Sequence, residues 1–503
     1  MCIVFRIFII INIVIALSGS NHLYSQKYGA AWIVGYSNDS TYYPKYGKTE
    51  INFSTGVINV KYKFGEILPD LDFTNASIAN MDGTLRYFTD GYRIYDGKQK
   101  VIKNGDSISY GRIWRDFKGG WPAEYNNYFL PMPGKENTST LLINFQPKYH
   151  PDQVHRFIYY PEFKYSMIEY NSVIQSDIVI IKDSIITYGD FVKPHMAMTK
   201  HANGRDWWII TEDYLTNNHN IYLLDTSGIR LFARQRIGLP ADSIDWTGNS
   251  TFTPNGEKFI KYLRESQIQI FDFDRCNGII SNPQVVINEK ARDKDYCYVA
   301  VSPNNRFLYF NCDSIIWQYD LFANDIKGSE TIVGEWDGYY FDNRLTTSFN
   351  QISLAEDGKI YVSCRSSSIY LHVINNPNEK GADCNFQLRQ VELPAFMFGN
   401  LPAPPNYRLG SLQGTVCDTL FSGTDDIVDS FIIYPNPVSD YFEVKSSTAK
   451  DFRVRLLNPV GQIVRDYSGS YPCVFDVSNI PSGLYIIQIE LKHRQFLKRI
   501  III

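Results

Sequence analysis

The sequence has little surplus of either charge. Its 49 lysines and arginines stand against 53 aspartates and glutamates, which gives a net charge of −4 over 503 residues. A nucleic-acid-binding chain would carry a basic surplus, so this balance argues against that class of partner. Catalytic motifs are lacking too, because the sequence contains no G-x-S-x-G, no H-E-x-x-H and no P-loop. Its eight cysteines form no C-x-x-C pair, so zinc is not expected. We therefore predict no catalytic residue, cofactor or metal site.

Long apolar runs are equally scarce. At the N-terminus, Arg6 precedes an apolar run that only Asn12 interrupts, and small residues follow it. This layout predicts a secretory signal peptide over residues 1–25, cleaved after Ser20 or Ser25, with an uncleaved signal anchor as the alternative. No other run is long enough to cross a bilayer, so we expect no membrane span in the mature chain.

The C-terminus ends on four isoleucines, Ile500 to Ile503, which follow a basic stretch over residues 492–499. A transmembrane helix needs about 20 continuous apolar residues, so this segment is too short and too charged to span a membrane. It fits two strands, Leu484–Leu491 and Phe496–Ile503, joined by a polar turn. A continuous apolar run predicts that the last strand is covered on both faces.

Aromatic residues are abundant, with 36 tyrosines and 31 phenylalanines. Aromatic side chains favour strands, and no long window repeats apolar residues at helical spacing. The sequence therefore predicts an all-β protein.

Five segments repeat one pattern, in which a short strand, an Asn/Asp turn and an aromatic-rich strand follow one another. The residues that mark the turns are Gly83, Gly204, Gly256, Asn305 and Gly358. Their separations are 121, 52, 49 and 53 residues, and the first is about twice the others. A sixth repeat is therefore predicted around Pro133 to Gln146.

Units of about 50 residues that each suit a four-stranded sheet are typical of a β-propeller. We predict a propeller over residues 27–410 with seven blades, six or eight being the alternatives. Its last blade would be shared between Tyr28–Asp70 and Cys384–Gly410. Residues 411–430 are rich in Ser, Thr, Asp and Gly and indicate a linker.

The stretches NASIANMDGTLRYFTDGYRIYDG, TKHANGRDWWIIT, SPNNRFLYF and EDGKIYV carry a resemblance. They look like the WD40-like propeller region of exported proteins from gliding and related Bacteroidetes-type bacteria. The similarity covers roughly Ile51 to Gly410, and it implies no particular activity.

The tail contains FIIYPNPVSDYFEVK, VRLLNPVGQIV and NIPSGLYIIQIELKHRQFLKRIIII in this order. It resembles the type A C-terminal sorting domain of the type IX secretion system over residues 431–503. The resemblance implies a small Ig-like β-sandwich that the outer-membrane translocon recognises, cleavage within the linker, and a secreted or surface-displayed product. Alternation of Val454 and Leu456 with Arg453 and Arg455 agrees with a half-buried strand.

Two groups of polar residues are candidate metal sites. Asp272, Asp274 and Asn277 loosely match a calcium loop but lack its final glutamate, so a strand and turn are favoured. Three histidines lie near one another in sequence: His195, His201 and His219. Their spacing fits no metal pattern, and we expect His201 to bond the backbone of its own turn.

Four tryptophans offer stacking surfaces: Trp114, Trp121, Trp207 and Trp208. Trp207 and Trp208 are adjacent on a strand and must point to opposite faces, so core packing is favoured over ligand stacking.

Cys297 and Cys312 flank a turn symmetrically and should face each other on adjacent strands. An exported protein favours a disulfide between them. However, Cys364 occupies the matching position of the next repeat, so we expect a reduced, packed pair, with the disulfide as the alternative.

These features predict an exported module that binds a protein or a glycan. The alternative is a secreted enzyme, acting on glycan or peptide, with its site in the propeller channel. Paired carboxylates with shifted pKa values at the channel mouth would distinguish the two.

Overall fold

The computed structural model describes residues 26–36, 46–63, 70, 71, 74–117, 125–151, 158–192, 196–241, 248–263, 267–292, 294, 296–418, 431–435, 438–446, 451–458, 461–470, 473–491 and 494–502. The predicted signal peptide and most of the predicted linker lie outside these residues. The chain divides into two compact units, Met1–Gly410 and Ser411–Ile503.

The described part of the first unit contains seven antiparallel sheets of three or four strands. Sheet 1 comprises β1 (Ala31–Tyr36), β2 (Gly47–Asn52) and β3 (Asn59–Lys63), and sheet 2 comprises β4 (Ala76–Ala79), β5 (Leu85–Thr89) and β6 (Ile94–Asp96). Sheet 3 comprises β7 (Asn127–Pro131), β8 (Ser139–Tyr149), β9 (Ile158–Asn171) and β10 (Ser176–Tyr188). Sheet 4 comprises β11 (Ala197–Lys200), β12 (Trp207–Glu212), β13 (Asn218–Asp225) and β14 (Gly228–Arg236).

The remaining sheets follow the same order. Sheet 5 comprises β15 (Ser250–Phe252), β16 (Lys258–Leu263), β17 (Gln267–Asp274) and β18 (Ile279–Ile287), and sheet 6 comprises β19 (Cys297–Val301), β20 (Phe307–Cys312), β21 (Ile315–Asp320) and β22 (Thr331–Glu335). A small hairpin of β23 (Tyr340–Phe341) and β24 (Leu345–Thr346) precedes sheet 7, which comprises β25 (Phe349–Leu354), β26 (Ile360–Cys364), β27 (Ser368–Ile374) and β28 (Phe386–Met397). Helical structure is limited to α1 (Arg112–Asp116) and the 3-10 turns Glu289–Ala291, Lys327–Ser329 and Gly381–Cys384.

Within each sheet the strands follow chain order, and burial falls from the first strand to the last. β4, β11 and β19 are buried at every residue, whereas every residue of β14 is exposed or half-buried. The first strands therefore lie at the centre and the last at the rim. This arrangement is a β-propeller, as the sequence predicts.

The predicted turn residues all lie between the first and second strands of a sheet. Gly83, Gly204, Gly256, Asn305 and Gly358 have φ values of 89°, 73°, 74°, 65° and 80°. Such positive φ values suit glycine and asparagine, which explains the repeated residue types. The sixth repeat is also confirmed, because β7 and β8 enclose the Pro133–Gly134 turn.

The prediction of a blade shared by the two ends of the propeller was wrong. β1, β2 and β3 pair with one another, and β28 pairs with β27 in sheet 7. Both pairings are local hairpins, which form with less loss of chain entropy than a pairing between the two ends. The ends meet instead through side-chain packing, where Trp32 and Phe53 of the N-terminal region lie in one core with Tyr361, Leu371 and Met397.

The described part of the second unit consists of two sheets. One comprises β29 (Phe431–Tyr434), β30 (Tyr441–Ser446) and β33 (Cys473–Asp476), and the other comprises β31 (Asp451–Leu457), β32 (Ile463–Ser470), β34 (Gly483–Leu491) and β35 (Arg494–Ile502). Side chains from both sheets form a single core, including Phe442, Phe475, Leu456, Ile487 and Ile500.

The two C-terminal strands lie within two residues of their predicted limits. The predicted coverage of the last strand on both faces was wrong, because Ile500 and Ile502 are buried whereas Ile501 is 45% exposed. β35 is the edge strand of its sheet, and successive side chains point to opposite faces, so only one face reaches the core. Val454 and Leu456 are buried and Arg453 is exposed, as predicted.

Candidate functional site: an aromatic cleft beside the hairpin of β23 and β24

A central cavity of about 330 Å³ lies among the first strands of the sheets. Residues of β11, β15, β19 and β25 line it together with residues 403–406 and Arg408. Residues 403–406 and Arg408 belong to the segment of residues 401–410, which we call the closing segment. This segment meets the turns between the first and second strands, because Asn406 Nδ2 donates to the Pro254 carbonyl at 2.8 Å.

Glu356 is the one carboxylate among the described residues that line this cavity. Its Oε1 accepts a hydrogen bond of 3.2 Å from the Gly29 amide, and its Oε2 forms an ion pair with Arg408. Burial raises the pKa of Glu356, against the lowering effect of Arg408. Glu356 thus holds both ends of the propeller, and the described lining of the cavity does not contain the pair of carboxylates that a glycosidase uses.

A second cavity, of about 520 Å³, lies between sheets 6 and 7 at the opposite ends of their strands. We call it the aromatic cleft, and its defining side chains are Tyr296, Asp313, Trp336, Tyr340, Arg344 and Arg365. Asp313 comes from the turn between β20 and β21, and Arg365 from the turn between β26 and β27. The cleft is therefore built on two neighbouring sheets, which fix the positions of these loops.

The hairpin of β23 and β24 supplies one wall of the cleft. Tyr340 is 47% exposed, and its ring lies edge-on to Trp336 with centroids 5.3 Å apart. Trp336 is held in place because its Nε1 donates to Thr347 Oγ1 at 3.1 Å. Tyr339, next to the cleft, is 40% exposed and is covered on one side by the Arg389 guanidinium, 4.5 Å from its ring centre. Aromatic rings are thus presented to solvent in fixed positions.

The two arginines of the cleft differ in their surroundings. Arg365 forms an ion pair of 3.1 Å with Asp313 and lies 4.6 Å from the centre of the Tyr296 ring. Arg344 is exposed, and its guanidinium has no ion pair, hydrogen bond or ring contact among the described residues. Arg344 is therefore available to a ligand.

A cysteine and a histidine lie behind the cleft, where sequence reasoning did not pair them. Cys364 Sγ is 3.4 Å from His372 Nε2, which is 3.0 Å from the Thr347 carbonyl oxygen. His372 Nδ1 accepts a hydrogen bond from the Arg389 amide. Burial lowers the pKa of His372 to about 4 and raises the pKa of the Cys364 thiol to about 12. A thiol and imidazole that both stay neutral at pH 7 do not form an activated nucleophile.

The candidate calcium ligands Asp272, Asp274 and Asn277 form a strand and a turn, as predicted. Asp272 forms an ion pair of 2.7 Å with Lys258. Asp274 accepts hydrogen bonds from the amides of Cys276 and Asn277 and so closes the turn after β17. Among the residues that the structure describes, no cluster of three or more His, Cys, Asp or Glu side chains is arranged to hold a metal ion.

The two described histidines of the candidate metal site, His201 and His219, are not brought together. His201 Nδ1 accepts the Asn203 amide at 3.0 Å, as predicted, near the start of β12. His219 pairs with Glu212 at the other end of that strand and packs between Phe259 and Phe271. His195 lies outside the described residues.

Core packing of the tryptophans is confirmed where they are described. Trp207 and Trp208 are buried on opposite faces of sheet 4, in two separate cores. Trp114 is partly buried beside Tyr92 and Tyr110, and Trp121 lies outside the described residues.

Cys297 and Cys312 face each other in the predicted register and are joined by a disulfide, so the expectation of a reduced pair was wrong. Their Cα atoms are 4.2 Å apart, the close spacing of a pair without backbone hydrogen bonds between its members. This close pair brings the two sulfur atoms together. Cys364 and Cys384 are free and buried.

Comparisons with known proteins bear on each unit separately. Residues 432–503 match the family of the secretion system C-terminal sorting domain. No curated protein matches the chain. Among solved structures, a putative 6-phosphogluconolactonase from Bacteroides uniformis is 12% identical, with 89% of this chain and 99% of that chain covered and a TM-score of 0.36.

Two propellers are also similar to this chain. The Cps50 (Swd1) β-propeller domain of Myceliophteria thermophila is 9% identical, with 76% of this chain and 97% of that chain covered and a TM-score of 0.29. The Dos1 propeller is 13% identical, with 66% and 80% covered and a TM-score of 0.37.

The tail therefore carries a sorting domain of the type IX secretion system, and the protein is secreted or attached to the cell surface. Among the described residues, no helix is long and apolar enough to cross a membrane.

Proposed function

We propose that this chain is an exported seven-bladed propeller that binds a glycan in the aromatic cleft. The signal peptide of residues 1–25 would direct it to the periplasm, and the sorting domain would carry it across the outer membrane. Cleavage within residues 411–430 would then release the propeller of residues 27–410 from its sorting domain.

The observation that carries this proposal is the exposed Tyr340 ring, fixed against Trp336 beside a polar cavity. Sugar rings have apolar faces that pack on aromatic rings and hydroxyl groups that need hydrogen-bonding partners. A cleft of about 520 Å³ is within the usual range for a small-ligand site, roughly 300–1,000 Å³. It therefore suits a short stretch of glycan.

A glycan is favoured over a folded protein partner because the aromatic side chains line a cavity instead of a broad flat surface. Stable protein interfaces bury about 1,200–2,000 Å² with a central apolar patch. The enzyme alternative has less support, because Glu356, the one described carboxylate of the central cavity, binds Arg408 and the Gly29 amide.

The proposal is tested by screening the purified propeller on a glycan array and measuring the strongest hit by calorimetry. Tyr340→Ala should weaken binding by about 5- to 160-fold, since loss of aromatic stacking costs on the order of 1–3 kcal/mol. Tyr188→Ala is the matched control, because Tyr188 is 69% exposed on β10 of another sheet. Equal binding by wild type and Tyr340→Ala would contradict the proposal.

A further inference from the structure

We infer that the glycan bound in the aromatic cleft is acidic, and that Arg344 binds a sugar carboxylate. This inference rests on the proposed function and adds the chemical class of the ligand. The acidic ligand is inferred by comparing the charged side chains of the cleft that have an ion pair with the one that has none.

Two acidic side chains near the cleft, Asp313 and Asp337, are already paired. Asp313 binds Arg365 at 3.1 Å, and Asp337 binds Arg389 through two contacts of 2.9 and 2.5 Å. Each pair joins a loop of sheet 6 to sheet 7, so these charges have a structural role. Among the described side chains that line the cleft, Arg344 is therefore the one charged group without an ion pair.

The net charge of the residues that line the cleft is opposite in sign to the net charge of the whole chain. Its lining has two arginines and one aspartate, which gives a net charge of +1, whereas the whole chain carries −4. An arginine beside a cavity attracts anions and offers two parallel N–H donors that match a carboxylate.

Arg344 is also held near the aromatic rings. It precedes β24, whose Thr346 pairs with Tyr340 and whose Leu345 pairs with Phe341. Its own amide donates to the Phe341 carbonyl at 3.2 Å, which fixes the turn. Asp342, in the same turn, has no described contact with the Arg344 guanidinium. A glycan with one sugar stacked on Tyr340 would therefore place the carboxylate of the neighbouring sugar within reach of Arg344.

The experiment uses matched ligands that differ only in charge. Hexamers of galacturonate, mannuronate and glucuronate are each compared with their methyl esters by calorimetry at low salt and at 0.5 M NaCl. The wild-type propeller should bind at least one acid about tenfold more tightly than its ester, and added salt should reduce the difference. Arg344→Gln should abolish this preference but keep ester binding. Arg236→Gln, an exposed arginine on β14, should behave as wild type.

Failure of this inference is distinguishable from failure of the proposed function. Equal binding of all acids and esters, with both weakened by Tyr340→Ala, would overturn the acidic ligand and leave the glycan site. An acid preference that survives Arg344→Gln would also overturn the inference. Hexaglutamate binding as tightly as the best uronate would show recognition of charge alone and would overturn it too. Insensitivity of all binding to Tyr340→Ala would overturn both.

Discussion

The phenol of Tyr407 donates a hydrogen bond of 2.7 Å to the backbone carbonyl of Phe129, 278 residues earlier in the chain. The Tyr407 ring lies edge-on between Tyr28, 5.8 Å away, and Trp207, 5.7 Å away. One side chain of the closing segment thus joins the N-terminal region to sheets 3 and 4. Burial raises the pKa of Tyr407, so the phenol stays protonated and remains a donor.

Two substitutions of Tyr407 separate the contribution of its hydrogen bond to stability from the contribution of its ring packing. Tyr407→Phe should lower the free energy of unfolding of the propeller by about 1–2 kcal/mol, because a buried carbonyl loses its donor. Tyr407→Ala should cost about 3–5 kcal/mol, because a large buried ring is also lost. Urea unfolding measures both, with Tyr188→Phe and Tyr188→Ala as controls on an exposed tyrosine. Effects no larger than those of the controls would contradict a stabilising role of Tyr407.

The disulfide between Cys297 and Cys312 should be present in freshly secreted protein. Peptide mapping without reductant should recover the two peptides joined, and separate alkylatable peptides would rule the bond out. The bond closes a loop over a sequence separation of 15 residues, so Cys297→Ala with Cys312→Ala should lower stability by about 3 kcal/mol. Cys364→Ala, at a free buried cysteine, is the control for loss of a thiol from the core.

His372 should make the propeller sensitive to acid. Its pKa is lowered from 6.5 to about 4, mainly by burial, so between these values the folded state binds fewer protons than the unfolded state. The free energy of unfolding is therefore unaffected by protonation of this group above pH 6.5. It falls as the pH drops toward 4, by roughly 3 kcal/mol for this group. His372→Gln keeps a donor for the Thr347 carbonyl and should reduce the loss between pH 7 and pH 4.5.

The measurement for His372 is urea unfolding of both proteins across that pH range, together with the imidazole titration of the wild type followed by NMR. The NMR titration gives a result even where the variant fails to fold. An imidazole that titrates near 6.5 in the folded protein would contradict the prediction.

Deletion of Phe431–Ile503 should hold the protein in the periplasm, because the secretion machinery loses the domain it recognises. Cell fractionation and surface labelling measure the distribution. As a control for folding, the truncated propeller should have the same melting temperature as the propeller released from full-length protein. Truncated protein on the surface or in the medium at wild-type levels would contradict this prediction.

Much of the fold could be predicted because local chemistry specifies it. Turns with positive φ require residues such as Gly256 and Asn305, and these recur wherever the first two strands of a sheet meet. The pairing of Cys297 with Cys312 follows from symmetry about one such turn. The sorting domain has several motifs in fixed order, so it was identified directly.

The cleft could not be predicted for a physical reason. Its walls come from turns of two sheets that are distant in sequence, and Asp313 and Arg365 meet only after those sheets pack. The one available signal was the stretch WDGYYFDNR, an aromatic hairpin sequence placed between two repeats. The closure of the ring was missed likewise, because strand periodicity does not show which strand a neighbour will pair with.

The closing segment also determines how the propeller responds to mechanical load. Its last residue is anchored, since Arg275 Nη2 donates to the Gly410 carbonyl at 2.7 Å, and Asn406, Tyr407 and Arg408 bind sheets 5, 3 and 7. A pull on the chain beyond Gly410 therefore reaches several blades at once. These contacts must break before β28 can separate from the edge of sheet 7 one hydrogen bond at a time. The propeller should therefore resist tension applied at its C-terminal end.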